Sequence, residues 1–171
     1  TTEGPVLVLA GAGSGKTRVL TSRIAYLIAE KDVPPEAILA ITFTNKAANE
    51  MKERIGQIVD ARGMWVCTIH SMCVRILRMY AAEAGLTQNF SIYSETERAN
   101  IIKKSFQECD FDDEKLLKNV KWHIANAKML GLSPAEYAEE NAKEREIDDV
   151  TKVYARYQAH LRENNALDFD D

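Results

Sequence analysis

The chain has 171 residues, of which 46% are hydrophobic and 28% charged, and a formal net charge of −4. That is the composition of a folded globular protein, not of a disordered tail, and no run of 18 uninterrupted apolar residues offers a spanning helix. The two halves differ in sign: residues 1–80 carry 10 Lys+Arg against 7 Asp+Glu (+3), and residues 81–171 carry 12 against 19 (−7), an asymmetry that marks either different partners or solvated helix surface.

The opening Thr-Thr-Glu-Gly-Pro has no initiating Met and no leader pattern, so the chain reads as a piece of something longer. Val6 to Ala10 is an apolar run of strand length, expected to be a fully buried strand. A turn with Gly11, Gly13 and Gly15 follows, and Lys16-Thr17 opens a segment of helical spacing. The phosphate-loop (Walker A) pattern G-x-x-x-x-G-K-[ST] fits except that Ala10 holds its first glycine. The chemistry accounts for the residue types. Glycines let the backbone N–H groups of Ala12, Gly13, Ser14 and Gly15 point inward at phosphate oxygens. The following helix adds its positive N-terminal dipole. Lys16 would reach the β- and γ-phosphates of ATP, and the Thr17 hydroxyl would hold Mg²⁺. The alternative is an ordinary glycine-rich turn between a strand and a helix.

The next helix carries a stripe of Leu20, Ile24, Leu27 and Ile28. Pro34-Pro35 closes the connection after it. Ile38 to Thr44 is a second strand. Asn45 is expected to cap a helix whose inward face is Ala48, Met51, Ile55 and Ile58 or Val59. Met64 to Thr68 is a third strand, and Ser71 to Ala84 a third helix closed by Gly85. Residues 6–84 therefore read β-α-β-α-β-α, which implies α/β architecture: a parallel sheet with helices on both faces and the phosphate loop at a strand's carboxyl end. Residues 86–171 read as an all-helical subdomain. Ser94-x-x-Glu97 and Ser133-Pro-Ala-Glu136 are capping boxes. Stripes follow at Ile101, Ile102 and Phe106; at Leu116, Val120, Ile124 and Ala127; and at Val150, Val153 or Tyr154, Tyr157 and Leu161. Phe90 to Tyr93 is a candidate brief strand. Trp65 and Trp122 are expected to be packing residues. The three cysteines, Cys67, Cys73 and Cys109, suit a reducing cytoplasm. Cys67-x-x-His70-x-x-Cys73 lacks the fourth ligand of a structural zinc site.

Four stretches together narrow the function: Gly11-Ala-Gly-Ser-Gly-Lys-Thr-Arg18, Ile41-Thr-Phe-Thr-Asn-Lys-Ala-Ala-Asn-Glu-Met51, Thr68-Ile-His-Ser-Met-Cys73 and Leu167-Asp-Phe-Asp-Asp171. In order and spacing they closely resemble the superfamily 1 DNA helicases of the UvrD/Rep/PcrA type, where Ala is usual at the position of Ala10. The resemblance implies a first RecA-like motor domain (residues 1–85, in part) interrupted by a helical insertion (86–171, with a return segment at 166–171). It implies ATP- and Mg²⁺-dependent 3′-to-5′ movement on single-stranded DNA and unwinding at a duplex junction. It places Arg18 beside the adenine ring and the stretches around Phe43, Thr44, Asn45, Lys46, Thr68, His70 and Ser71 on the single strand. Ile69 stands where Phe is common in the family.

Residue chemistry agrees with that site. Phe43 offers a ring for a base, or else packs at a strand end. Thr44, Asn45, Thr68 and Ser71 can donate to phosphates, and Lys46 adds charge. Hydrolysis also needs carboxylates for Mg²⁺ and for the attacking water, expected as Asp-Glu after an apolar strand. Asp168, Asp170 and Asp171 instead follow the polar Arg162-Glu-Asn-Asn165, so the piece is expected to lack those acids and to be inactive alone. Other readings are the motor subunit of a recombination helicase–nuclease, a small-molecule phosphotransferase, and a non-catalytic nucleic-acid-binding module.

Overall fold

In the computed structural model, which describes residues 2–171, the chain is mixed α/β; helices predominate and the sheets are small and parallel. It divides into two units, one reaching to Ile76 and the other running from Leu77 to Asp171.

The first unit holds α1 (Lys16–Lys31), β1 (Leu39–Thr42), α2 (Asn45–Gly56), β2 (Trp65–Thr68) and the start of α3 (Ile69–Met79). β1 and β2 pair in parallel with Leu39 opposite Trp65 and Thr42 opposite Thr68. Their crossover helix α2 places Ala48, Met51 and Ile55, three and four residues apart, on one buried face. Met51 and Ile55 join Ile24 of α1, Ala40 and Met64 in the core of this unit. Val59 is the residue that packs against that core, and Ile58 is exposed. On α1 the buried positions are Thr21, Ile24 and Ala25; Leu20 lies in solvent. The cap of α2 is Thr44 rather than Asn45. Thr44 has the extended backbone of a cap, and its hydroxyl accepts the Ala47 N–H at 3.1 Å.

One expected element is absent. Val6 to Ala10 is not a strand, and Leu7 and Leu9 are 84% and 86% exposed. A fully apolar strand is stable only when both its edges are paired and both its faces covered. Among the described residues the other strands of this unit, β1 and β2, bond to each other. The glycine-rich loop therefore follows a segment that is not part of a sheet.

The second unit contains β3 (Ser91–Ile92), α4 (Glu95–Glu108), α5 (Glu114–Met129), α6 (Pro134–Glu140), α7 (Ile147–Glu163) and β4 (Ala166–Leu167). Both capping boxes form: the hydroxyls of Ser94 and Ser133 accept the amides of Glu97 and Glu136, whose carboxylates accept the serine amides in return. α7 is the central helix. Val150, Val153, Tyr154, Tyr157 and Leu161 are all buried, together with Ile102, Phe106, Val120, Ile124 and Ala127 from α4 and α5. Trp122 departs from expectation and is 62% exposed. It lies two residues from both Val120 and Ile124, a rotation of about 200° at 100° per residue, which turns it to the far side of α5. Trp65 is half-buried, with the Arg75 guanidinium 3.9 Å over its ring. β3 and β4 pair in parallel, Ser91 with Ala166 and Ile92 with Leu167. Among the described residues no helix is long and apolar enough to cross a membrane.

Candidate nucleotide and nucleic-acid sites

The residues from Ala10 to Arg18 form a single loop running into α1. Gly13 and Gly15 have φ of +74° and +88°, a region that side chains with a Cβ rarely enter. A Cβ at Gly13 would meet nothing within 4 Å, so backbone conformation rather than crowding is what requires glycine there. The turn is closed by the Ser14 hydroxyl, which donates to the Gly11 carbonyl at 2.7 Å. Lys16 folds back over it, and its Nζ donates to the carbonyls of Ala10 and Gly11, each at 3.3 Å.

Two features make the mouth of α1 electropositive. Its cap, Gly15, has no side chain to accept the first amides, and the first turn holds no acidic residue. The helix dipole is thus uncompensated at this end, with Lys16 and Arg18 beside it. A depression of about 580 Å³ opens here, lined by Gly13, Ser14, Gly15, Arg18, Val19 and Ser22. It is ligand-sized and contains no carboxylate to repel phosphate. Thr17 is half-buried in the first turn.

The second set of expected residues lies at two strand-to-helix junctions. Because Thr42 and Thr68 are in register, the β1–α2 and β2–α3 junctions emerge side by side at the carboxyl ends of the strands. The first carries Phe43, Thr44, Asn45 and Lys46, all exposed. The Phe43 ring is 98% exposed, so it does not pack at the strand end. Thr42 Oγ1 donates to the Thr44 carbonyl at 3.0 Å and fixes the bend. At the second junction the Thr68 and Ser71 hydroxyls are 2.9 Å apart, and Thr68 Oγ1 accepts the Ser71 N–H at 3.3 Å. His70 and Ser71 are exposed. Two helix N-termini and a bare aromatic ring therefore share one edge.

The acids of the last stretch are committed within the second unit. Asp168 is 4% exposed. Its Oδ2 accepts the Tyr157 hydroxyl at 2.5 Å and faces Lys128 Nζ at 2.9 Å and Arg98 Nε at 3.4 Å. Its Oδ1 accepts the amides of Asp170 and Asp171. Asp171 lies 2.8 Å from Lys128, and Asp170 lies 2.9 Å from Arg98. Burial pushes Asp168 up, but the Tyr157 hydroxyl and the Lys128 ammonium outweigh it and hold the carboxyl below the usual range. Burial and the bond to Asp168 raise the Tyr157 hydroxyl, so it stays a donor. Periodicity does not single out Arg98 or Lys128. The available sign was Lys128 standing four residues after Ile124, a charge on a buried face.

Among the described residues no group of three His, Cys, Asp or Glu side chains is placed to hold a metal. The family described as UvrD/REP helicase N-terminal domain matches residues 1–171, the full chain. The ATP-dependent DNA helicase PcrA of Staphylococcus aureus is 49% identical over 174 residues, an alignment covering 100% of this chain and 24% of that protein. PcrA of Staphylococcus epidermidis is 47% identical over 173 residues with the same coverage. The chain thus spans about a quarter of the length of these relatives. Loop, junctions and matches agree, and the chain belongs to the UvrD/REP helicase N-terminal domain family.

Proposed function

We propose that this chain is the nucleotide- and strand-binding part of a cytoplasmic, ATP-dependent 3′-to-5′ DNA helicase. In this reading residues 1–85 contribute to the motor and residues 86–171 form the inserted helical subdomain. The observation that carries it is the mouth of α1: a cap without a side chain, no acid in the first turn, and Lys16 hydrogen-bonded only to loop carbonyls. A phosphate would take over that lysine and the amides of Gly13 and Gly15, and would compete with the Gly11 carbonyl for the Ser14 amide, which donates to it at 3.4 Å. Ala12 continues the cradle, Arg18 lies beside the base, and the Thr17 hydroxyl would hold Mg²⁺. A bound metal would supply charge neutralisation to the phosphates; these residues would bind and orient the nucleotide.

Single-stranded DNA is assigned to the paired junctions. Phe43 stacks on a base, while Thr44, Asn45, Thr68, His70 and Ser71 meet phosphates together with Lys46. The acids at Asp168, Asp170 and Asp171 are tied to Lys128 and Arg98, so residues 1–171 by themselves bind nucleotide without turning it over. Strand-stimulated ATPase from residues 1–171 alone would overturn that part. The decisive variant is Lys16→Ala in the intact protein. It is expected to abolish ATPase and leave the affinity for single-stranded DNA within about twofold, because Lys16 touches only its own loop. Equal loss of both activities would make the loop a folding element and refute the reading.

A further inference from the structure

Phe43 raises a question of support. Its ring is 98% exposed, so no packed side chains hold it in one direction. Where packing is absent, the backbone beneath a side chain decides which rotamers it can adopt and hence where it points. The direction of this ring is therefore set by whatever fixes the backbone between β1 and α2.

The two junctions of the first unit differ here. β2 ends at Thr68 and α3 begins at the next residue, Ile69. Thr68 closes the strand and also accepts an early helix amide, that of Ser71, at 3.3 Å. Thr42 stands in register with Thr68, yet it does not cap α2. Phe43 and Thr44 intervene before α2 begins at Asn45, and the cap is Thr44, which accepts the Ala47 amide at 3.1 Å. The Thr42 hydroxyl reaches across Phe43 and donates to the Thr44 carbonyl at 3.0 Å. The same carbonyl accepts the Ala48 amide at 3.0 Å, in the first turn of α2. One acceptor thus ties the end of the strand to the start of the helix, and Phe43 is the residue enclosed by the tie.

We propose that Thr42 is a positioning residue for the strand-binding site: its hydroxyl locks the backbone at Phe43 so that the ring is presented outward to a base. The inference rests on the reading above, in which Phe43 takes the base; Thr42 acts through it and not on the strand. Threonine suits this part, because its branched Cβ restricts χ1 and keeps the hydroxyl aimed. Without the bond the step between strand and helix populates other bends, and the ring is presented for only a fraction of the time. The apparent dissociation constant then rises by the reciprocal of that fraction. For a hydrogen bond of ordinary net strength the rise is about fivefold.

The test uses the intact protein and a fluorescein-labelled oligothymidine, with anisotropy reading the affinity and circular dichroism showing that the variants fold alike. Thr42→Val keeps the branched shape and loses the donor; it is expected to bind about fivefold more weakly. Thr42→Ala, which adds no apolar group, should give the same loss. Thr42→Ser restores the donor and should return the affinity to within about twofold of the parent. In a Phe43→Ala background Thr42→Val should have no further effect, because no ring remains to be positioned. Unchanged binding in Thr42→Val, beside a loss in Phe43→Ala, overturns the positioning role and leaves the base contact standing. A loss that persists in the Phe43→Ala background overturns it, since Thr42 would then act on the strand directly or on the whole junction. Equal loss in Thr42→Ser and Thr42→Val also overturns it, because the hydroxyl would be irrelevant. Phe43→Ala binding as tightly as the parent removes the base contact itself, and the proposal falls with it.

Discussion

Replacing Asp168 by Asn removes one charge from the buried cluster and almost none of its volume. With its oxygen in the place of Oδ1 the carboxamide would still accept the amides of Asp170 and Asp171, while its NH2, in the place of Oδ2, can only donate to the Tyr157 oxygen that now bonds the carboxylate. What disappears is the charge facing Lys128 at 2.9 Å and Arg98 at 3.4 Å. Removing one member of a buried ion pair costs about 3–5 kcal/mol. Lys128 keeps Asp171 and Arg98 keeps Asp170, which puts the expected loss at the low end, about 3 kcal/mol, or roughly 12–24 °C in Tm for a unit of this size. Urea unfolding followed by far-ultraviolet circular dichroism measures it. The same variant carries a pH signature. Because the folded Asp168 titrates below the usual carboxylate range, its stabilisation is complete above about pH 4 and is lost as pH falls through the lower folded value. Asp171 works in the opposite sense, since burial raises it despite Lys128; its share is largest in acid and is lost as pH rises. Asp168→Asn should therefore flatten the acid limb of stability below about pH 4. A loss under about 1 kcal/mol, with that limb unchanged, would mean that the cluster is effectively solvated and would refute the reasoning.

Phe43→Ala is expected to weaken binding of single-stranded DNA by about 1–3 kcal/mol while leaving Tm unchanged, because a ring that is 98% exposed contributes no packing; anisotropy and calorimetry on the same sample separate the two. Tyr137→Phe removes the group that bonds His123 Nδ1 at 2.8 Å and Asn126 Nδ2 at 3.1 Å. It should cost about 1–3 kcal/mol of unfolding free energy. Burial already holds His123 below its ordinary pKa, and a histidine ring signal that titrates no differently in the variant would argue against the network.

The helical unit is the legible part of the sequence, because its signals are local. A capping box needs four consecutive residues, and Ser94-Glu97 and Ser133-Glu136 form as written. The apolar stripes on α4, α5 and α7 name the buried residues almost one for one. Val6 to Ala10 misleads for the opposite reason. An apolar run records what a segment is suited to pair with, not whether a neighbouring strand is present to pair with it. Trp122 misleads by residue type, although its position two residues from each buried neighbour already places it in solvent. At the candidate loop, the positive φ of Gly13 and Gly15 can be read from residue type alone, since glycine is the residue that adopts it readily. Arg98, Lys128 and Asp168 cannot, because their association spans the unit and leaves no periodic trace.

The pairing of Ser91–Ile92 with Ala166–Leu167 has a consequence for how this helical unit can vary. The Ser91 amide bonds the Asn165 carbonyl at 3.0 Å, the Tyr93 amide bonds the Leu167 carbonyl at 2.8 Å, and Thr87 and Asn165 exchange two further bonds. The way in and the way out are thus stitched together, and residues 93–165 form a single excursion from one point. Lengthening such an excursion costs little, about 0.6 kcal/mol per doubling. The turns at 110–113 and 141–146 can therefore accept added sequence without disturbing the seam. The seam itself is the position where substitution is least tolerated: Asn165, with a left-handed backbone and both of its side-chain polar atoms in use, is the residue on which replacing the whole excursion with another would depend.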